Sequence, residues 1–192
     1  MANPEWILKD LLEGNERFVA LKSIHPNQSA ERRTEVVKGQ RPSAVILGCS
    51  DSRIPPEIIF DRGIGDLFVI RVAGNIIDDA ILGSMEYAVE HLHVQLIVVL
   101  GHQKCGVVEA TVKGGHAPGH IGTLAQAIRP AVEKARSQSG NLVENAIRIH
   151  VERMVQELKS AKPILAEAIH KGELQIVGAR YDLESGRVEI LG

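Results

Sequence analysis

The sequence predicts an α/β fold with a central, mainly parallel β-sheet flanked by helices. Three observations support this fold class: short apolar runs that do not alternate with polar residues, helical patterns between those runs, and a short turn before the last predicted strand. Apolar runs that are rich in Val and Ile and lack alternation are typical of strands buried on both faces, as in a parallel sheet. Four such runs occur, at residues 44–47, 67–72, 96–100 and 174–177.

Helical periodicity separates the predicted strands. It covers residues 78–91, residues 105–113 and a long block from about 122 to 171. Strands that alternate with helices in this way are joined by right-handed crossovers in a parallel sheet. Residues 187–191 form a last predicted strand after a short turn around Ser185 and Gly186. Because a turn of this length suits a hairpin, the C-terminal edge strand is expected to be antiparallel.

Two helices are predicted before the first strand, and we call residues 1–40 the N-terminal arm. Asn3 and Pro4 suit the start of the first helix, and Ser29 can cap the second. The arm carries a dense apolar stripe at helical spacing. That stripe packs either on its own domain or on a partner subunit, and both readings stay open here. No repeat or linker divides the chain, so one domain is expected over residues 1–192.

The composition argues against several classes of protein. A net charge of −2 gives no basic excess for nucleic acid or an anionic membrane, and 3% aromatic residues argue against base-stacking platforms. The longest apolar stretch, residues 96–100, is far shorter than the ~20 residues that cross a bilayer. Two cysteines are too few for a secreted disulfide scaffold, and residues 1–10 show no secretory signal. We therefore expect a cytoplasmic protein with reduced thiols.

Two of the predicted strands end in residues that carry chemistry. Cys49 follows the first strand, and His102 and Cys105 follow the third. Ligands of open parallel sheets bind beyond the carboxyl ends of the strands, so these residues can meet at one edge. Two thiolates and an imidazole suit Zn²⁺, and three protein ligands leave the open position of a catalytic site. Taken alone, the same residues also allow buried apolar cysteines, a hydrogen-bonded histidine or a redox disulfide.

Asp51 and Arg53 follow Cys49 in a polar cluster. Ser and Asp favour turns, so a solvated turn is one interpretation. The functional interpretation is a charge pair in which Arg53 keeps Asp51 ionised and oriented. Without that pairing, Asp51 could bind the metal and close its open position.

The two segments together resemble the paired signature of the β-class carbonic anhydrases, C-x-D-x-R and H-x-x-C. They read CSDSR at residues 49–53 and HQKC at residues 102–105, and a looser similarity reaches residues 178–182. The resemblance implies one Zn²⁺ per chain, with Cys49, His102 and Cys105 as its ligands. It also implies that Asp51 and Arg53 are a catalytic dyad that holds a zinc-bound hydroxide.

Further positions match the plant-type subgroup of that family. Gln40, Phe68 and Tyr87 correspond to residues that line the substrate pocket there, and the glutamine often reaches in from the neighbouring subunit. Gly106, directly after the second cysteine, is assigned to the same pocket. The resemblance therefore implies a homodimer or a higher oligomer built from dimers.

The other subgroup has an inhibitory bicarbonate site that includes a tryptophan three residues before the first cysteine. Ile46 stands at that position here, which argues against this form of regulation, although Arg71 and Tyr181 resemble other parts of the site. Val107 replaces a second glycine found in many members and removes no ligand.

The resemblance implies a zinc lyase that reversibly hydrates carbon dioxide to bicarbonate and a proton. Two alternatives remain open: hydrolysis of carbon disulfide or carbonyl sulfide on the same fold, and a non-catalytic zinc protein.

No proton shuttle can be assigned from the sequence. His116 and His120 are chemically suitable, but they lie in a glycine-rich loop that is equally typical of a solvated segment. His25, His150 and His170 are expected to be ordinary surface residues.

Overall fold

A five-stranded sheet forms the centre of the computed structural model, which describes residues 3–115 and 117–192. Its order is β2-β1-β3-β4-β5. The first four strands run parallel, and β5 is antiparallel to β4, as predicted. The strands are β1 (Ala44–Gly48), β2 (Leu67–Arg71), β3 (Leu96–His102), β4 (Gln175–Tyr181) and β5 (Val188–Leu191).

Helices fill the connections between the parallel strands and precede the first of them. Within the described residues they are α1 (Pro4–Val19), α2 (Ala30–Val36), α3 (Pro56–Ile59), α4 (Asp79–Leu92), α5 (Gly106–Lys113), α6 (Ile121–Ala135), α7 (Leu142–Ser160) and α8 (Ile164–His170). None of the helices in residues 3–115 and 117–192 is long and apolar enough to cross a membrane.

The long helical block predicted after residue 122 is divided into α6, α7 and α8. A Ser- and Gly-containing segment at residues 137–140 interrupts the first two, and the side chain of Asn141 caps α7 by accepting hydrogen bonds from the N–H groups of Val143 and Glu144. Pro163 separates α7 from α8. Periodicity alone does not reveal these breaks, because all three helices bury apolar residues.

The two central strands are buried on both faces. Alternate residues of β1 and β3 contribute to two separate apolar clusters, one packed against α6 and the other against α4 and α8. Helix α7 contributes to both clusters, with its first turns in one and its later turns in the other. Helices on both faces explain why these strands are continuous apolar runs rather than alternating ones.

Strand β2 differs from this expectation. Leu67, Phe68 and Val69 are only half-buried, and Arg71 is exposed. The strand lies at the edge of the sheet, so β1 covers one side only. Although its sequence is as apolar as that of a central strand, part of the surface of β2 is therefore not covered by other residues of the same chain.

The N-terminal arm is fastened to its own domain by a buried asparagine. Asn15 donates from its amide to the carbonyls of Ile59 and Gly186 at 3.1 and 2.9 Å, and its side-chain oxygen accepts from Val188 N–H at 2.8 Å. One face of the arm thus packs on its own chain. Other apolar side chains of the arm remain exposed, among them Trp6 at 73% and Leu21 at 92%.

We predict that Asn15→Ala lowers the free energy of unfolding by about 3 kcal/mol, because it leaves buried backbone groups without partners. Chemical denaturation monitored by circular dichroism measures the change. Glu13→Ala, on an exposed part of the same helix, is the matched control and should change stability by less than about 0.5 kcal/mol. Equal stability of the two variants would contradict the role assigned to Asn15.

Candidate metal centre

Two adjacent parallel strands bring the three predicted metal ligands together. Cys49 follows the last residue of β1, His102 is the last residue of β3, and Cys105 precedes the first residue of α5. Gly48 is paired with Leu100 in the sheet, so the carboxyl ends of β1 and β3 lie side by side. The two sulfurs and a ring nitrogen all lie within 4.8 Å of one another, and all three residues are buried. This group could hold a metal ion.

The histidine presents a nitrogen that suits a metal. His102 Nδ1 lies 2.9 Å from the carbonyl oxygen of Gln103, and a carbonyl only accepts, so Nδ1 carries the proton. Nε2 is buried and has no hydrogen-bond partner among the described residues. An unpartnered basic nitrogen directed at two sulfurs is the arrangement expected when a carbonyl orients a metal-binding imidazole.

The two cysteines share one proton between them. A hydrogen bond from Cys105 is the main cause that lowers the pKa of Cys49 to about 4, and N–H groups of Gly74 and Asp51 also favour its thiolate. The adjacent thiolate and burial raise the pKa of Cys105. Two buried sulfurs this close cannot both be ionised at low cost unless a cation joins them. The donor set therefore fits Zn²⁺, which carries the two positive charges that two thiolates need.

Asp51 lies beside this centre but is directed at Arg53. The Arg53 guanidinium donates to both carboxylate oxygens, from Nε at 2.9 Å and from Nη2 at 2.7 Å. This pairing lowers the pKa of Asp51 to about 2. Asp51 Oδ2 is 4.0 Å from His102 Nε2, and Arg53 also donates to the carbonyl of Lys104 at 3.2 Å. The guanidinium therefore holds the carboxylate next to the three ligands in its ionised form.

Arg71 supports the segment that carries both a ligand and the acid. Its guanidinium donates to the carbonyl of Cys49 at 2.9 Å and to the carbonyl of Asp51 at 2.6 Å. This supporting role was not predicted. Arg71 is the last residue of β2, which lies next to β1. The cysteine–histidine cluster was predicted because the carboxyl ends of parallel strands meet at one edge. The same argument could have revealed the role of Arg71.

The residues assigned to the substrate pocket do not all lie at this edge in one chain. Gly106 is exposed at the start of α5, adjacent to the cluster. Phe68 pairs with Val45, three residues before the Gly48–Arg71 pair at the carboxyl end, which corresponds to about 10 Å along the strand. Tyr87 lies 6.4 Å from Phe68 between ring centroids and is 47% exposed. Gln40 is exposed in the segment between α2 and β1.

The expectation for one histidine was wrong. His150 was predicted to be a surface residue, yet it is 1% exposed on α7. It lies on a helix whose buried residues extend over several turns, so the apolar pattern did not single out its face. His25, His120 and His170 are exposed, and His116 lies outside the described residues.

We predict that the metal-free protein contains one thiolate per chain at neutral pH, with Cys49 as the ionised residue. Because the pKa of Cys49 is lowered, the thiolate is present at neutral pH and is lost as the pH falls through about 4. Ultraviolet thiolate absorbance measures the titration. Cys105→Ser should retain the signal, because serine can still donate a hydrogen bond, whereas Cys49→Ser should lose it. A Cys49→Ser variant with the wild-type titration would contradict this assignment.

Comparisons with known proteins agree with this geometry. A family model described as "Carbonic anhydrase" matches residues 44–188. "Carbonic anhydrase 2" of Mycobacterium tuberculosis is 46% identical over 96% of this chain and 91% of its own length. The carbonic anhydrase of Mycolicibacterium smegmatis is 43% identical, over 98% of this chain and 94% of its own length.

A solved structure shows the same architecture. It is one of two tetrameric β-carbonic anhydrases from the filamentous ascomycete Sordaria macrospora, with a TM-score of 0.79 and 28% identity, and the match covers 96% of each chain. The family match covers most of the present chain, and the solved relative is a β-class enzyme. The chain therefore belongs to the β-class carbonic anhydrases, a family of zinc lyases (EC 4.2.1.1).

Proposed function

We propose that this protein is a zinc-dependent enzyme that interconverts carbon dioxide and bicarbonate. One Zn²⁺ per chain is held by Cys49, His102 and Cys105. The observation that carries the proposal is the buried group of two sulfurs and one nitrogen, with the ionised Asp51–Arg53 pair beside it. Bound zinc supplies hydroxide near neutral pH, because it lowers the pKa of water to about 7.

Asp51 keeps the nucleophile in the productive orientation. Its carboxylate remains ionised at neutral pH and would accept a hydrogen bond from the attacking hydroxide. Because the hydroxide hydrogen then points at Asp51, a lone pair of its oxygen would face the substrate. Arg53 has two functions in this arrangement. It keeps Asp51 ionised, and it engages both carboxylate oxygens beside the metal ligands, which preserves a position for solvent.

The overall reaction consumes carbon dioxide and water and yields bicarbonate and one proton. Carbon dioxide is apolar, so a small pocket with aromatic and aliphatic walls suits it. An amide donor such as that of Gln40 could stabilise the charge that develops on a substrate oxygen. These groups are the ones assigned by resemblance to the plant-type subgroup, which we propose for this chain.

We further propose that two chains share each pocket. In one chain, Phe68 lies about 10 Å along the strand direction from the edge that carries Cys49, which supports a neighbouring chain as the source of Phe68, Tyr87 and Gln40. The half-buried face of β2 and exposed Trp6 and Leu21 supply apolar surface for such a contact. A homodimer, or a higher assembly built from dimers, follows from this arrangement.

A cytoplasmic location completes the proposal. Both cysteines are free, and both must remain reduced to hold a metal, which suits a reducing compartment.

The decisive experiment combines metal analysis with stopped-flow carbon dioxide hydration on the same sample. We expect one zinc per chain and rapid hydration in the wild-type protein. Cys49→Ser should lose both the metal and the activity, because one thiolate ligand is gone. Asp51→Asn should keep the zinc and lose roughly 100-fold in kcat/KM, since it removes the negative charge and replaces one acceptor oxygen by an NH2 donor but removes no ligand.

Lys104→Ala is the control for these variants, because its exposed side chain pairs with Glu184 rather than with the dyad. It should hydrate carbon dioxide at the wild-type rate. Full activity in Cys49→Ser, or turnover of carbon disulfide without hydration of carbon dioxide, would overturn the proposed function.

A hybrid experiment tests the shared pocket. A Cys49→Ser chain and a Gln40→Ala/Phe68→Ala chain should each have little activity alone. When the two are mixed and allowed to exchange subunits, one competent site forms per hybrid dimer, with the ligands from the second chain and the pocket residues from the first. We expect activity to reappear on mixing. If all residues acted within one chain, both sites of the hybrid would be defective and no activity would return.

A further inference from the structure

A buried histidine close to the metal centre has no role in the proposed reaction. His150 lies on α7 and is 1% exposed, and its Nε2 atom lies 2.8 Å from the carbonyl oxygen of Gly74. A carbonyl oxygen can only accept, so Nε2 carries the proton and donates it to Gly74. The protein thus directs one N–H of a buried imidazole at a single backbone carbonyl.

Stability alone does not explain this imidazole. Nδ1, which must then be the unprotonated nitrogen, is buried without a hydrogen-bond partner in the described part of the chain. Leaving a buried acceptor unpartnered costs about 1–3 kcal/mol, which offsets the hydrogen bond that Nε2 makes to Gly74. Burial also lowers the pKa of His150 to about 4, so the ring is neutral at neutral pH and adds no charge to the core.

The partner of His150 is itself a partner of a metal ligand. The N–H of Gly74 donates to Cys49 Sγ at 3.2 Å. Gly74 has a left-handed backbone, with φ 75° and ψ 14°, inside the 3₁₀ turn Ala73–Asn75 that follows β2. A Cβ at this position would lie 2.7 Å from Ile128 Cδ1. This conformation favours glycine, and the conformational freedom of glycine means that the orientation of its two peptide groups is set by neighbours.

We propose that His150 is a positioning residue for the metal centre: by holding the Gly74 carbonyl, it directs the Gly74 N–H at Cys49 Sγ. The inference rests on the proposed zinc site. An N–H donor at a thiolate sulfur stabilises its negative charge and orients it, and such outer hydrogen bonds typically change metal affinity or activity by 10–100-fold. His150 thus acts on the zinc through one backbone residue and touches neither metal nor substrate.

Two conservative variants separate this role from a packing role. The side-chain amide of glutamine can take the place of Nε2 and donate to Gly74, whereas asparagine is too short to reach it. Val155→Ala is the control for a general loss of packing. Val155 is buried later on the same helix, in the apolar cluster that includes residues of α4 and α8. Chelator competition on the zinc-loaded enzyme measures affinity, and the thiolate-to-metal absorption of the cobalt-substituted enzyme reports the state of the sulfurs.

We expect His150→Asn to weaken zinc binding by about tenfold and to shift the cobalt absorption band. His150→Gln and Val155→Ala should bind zinc within about twofold of the wild type and keep its spectrum. Wild-type affinity and spectrum in His150→Asn would overturn the inference. Equal weakening in the asparagine and glutamine variants, or in Val155→Ala, would overturn it as well.

A second measurement needs no variant, so it can overturn the inference even if His150→Asn does not fold. In the wild-type enzyme loaded with NMR-active cadmium, a hydrogen bond to Cys49 transmits a scalar coupling between the metal and the amide proton of Gly74. Its presence supports the Gly74–Cys49 hydrogen bond through which His150 is proposed to act, and its absence overturns the inference. A wild-type protein that binds no zinc would instead refute the proposed function, which keeps the two failures distinct.

Discussion

The side-by-side pairing of β1 and β3 is the constraint on which the site depends. Because these parallel strands pair Gly48 with Leu100, residues just beyond the two strand ends emerge at one edge of the sheet. Cys49 needs only one step past β1, and β3 extends two residues beyond Leu100 to reach His102. A slip of one residue in this pairing would turn the side chains to the opposite faces and separate the two sulfurs. Burial of both strands on both faces makes such a slip costly.

Charged groups surround the two sulfurs at that edge of the sheet. Two sulfurs lie at the centre and need a cation, since both cannot be ionised together at low cost. Asp51 would supply further negative charge, and the Arg53 guanidinium keeps it paired and outside the ligand group. Arg71 donates to the carbonyls of Cys49 and Asp51, so two guanidinium groups hold this short segment. In the proposed mechanism, this carboxylate accepts a hydrogen bond without becoming a ligand.

The candidate metal centre and the residues assigned to the substrate pocket lie in different parts of the chain. The candidate ligands lie at or just beyond the ends of buried central strands, whereas Phe68 and Tyr87 lie on an edge strand and on the helix beside it, both partly exposed. The arm is fastened inward through Asn15 but leaves Trp6 uncovered. Rigid ligands in the core and an incomplete pocket at the surface are consistent with a site that a second chain completes.

The sequence by itself determined the sheet type, the antiparallel last strand, and the cysteine–histidine cluster. These features follow from local patterns: apolar runs without alternation, helical periods between them, and chemically active residues directly after two strand ends. The burial of His150 and the hydrogen bond from Gly74 to Cys49 were decided only by the tertiary structure. Each depends on which face of an element meets a distant neighbour, and a helix such as α7, which packs against both apolar clusters, carries no single stripe from which that face could be predicted.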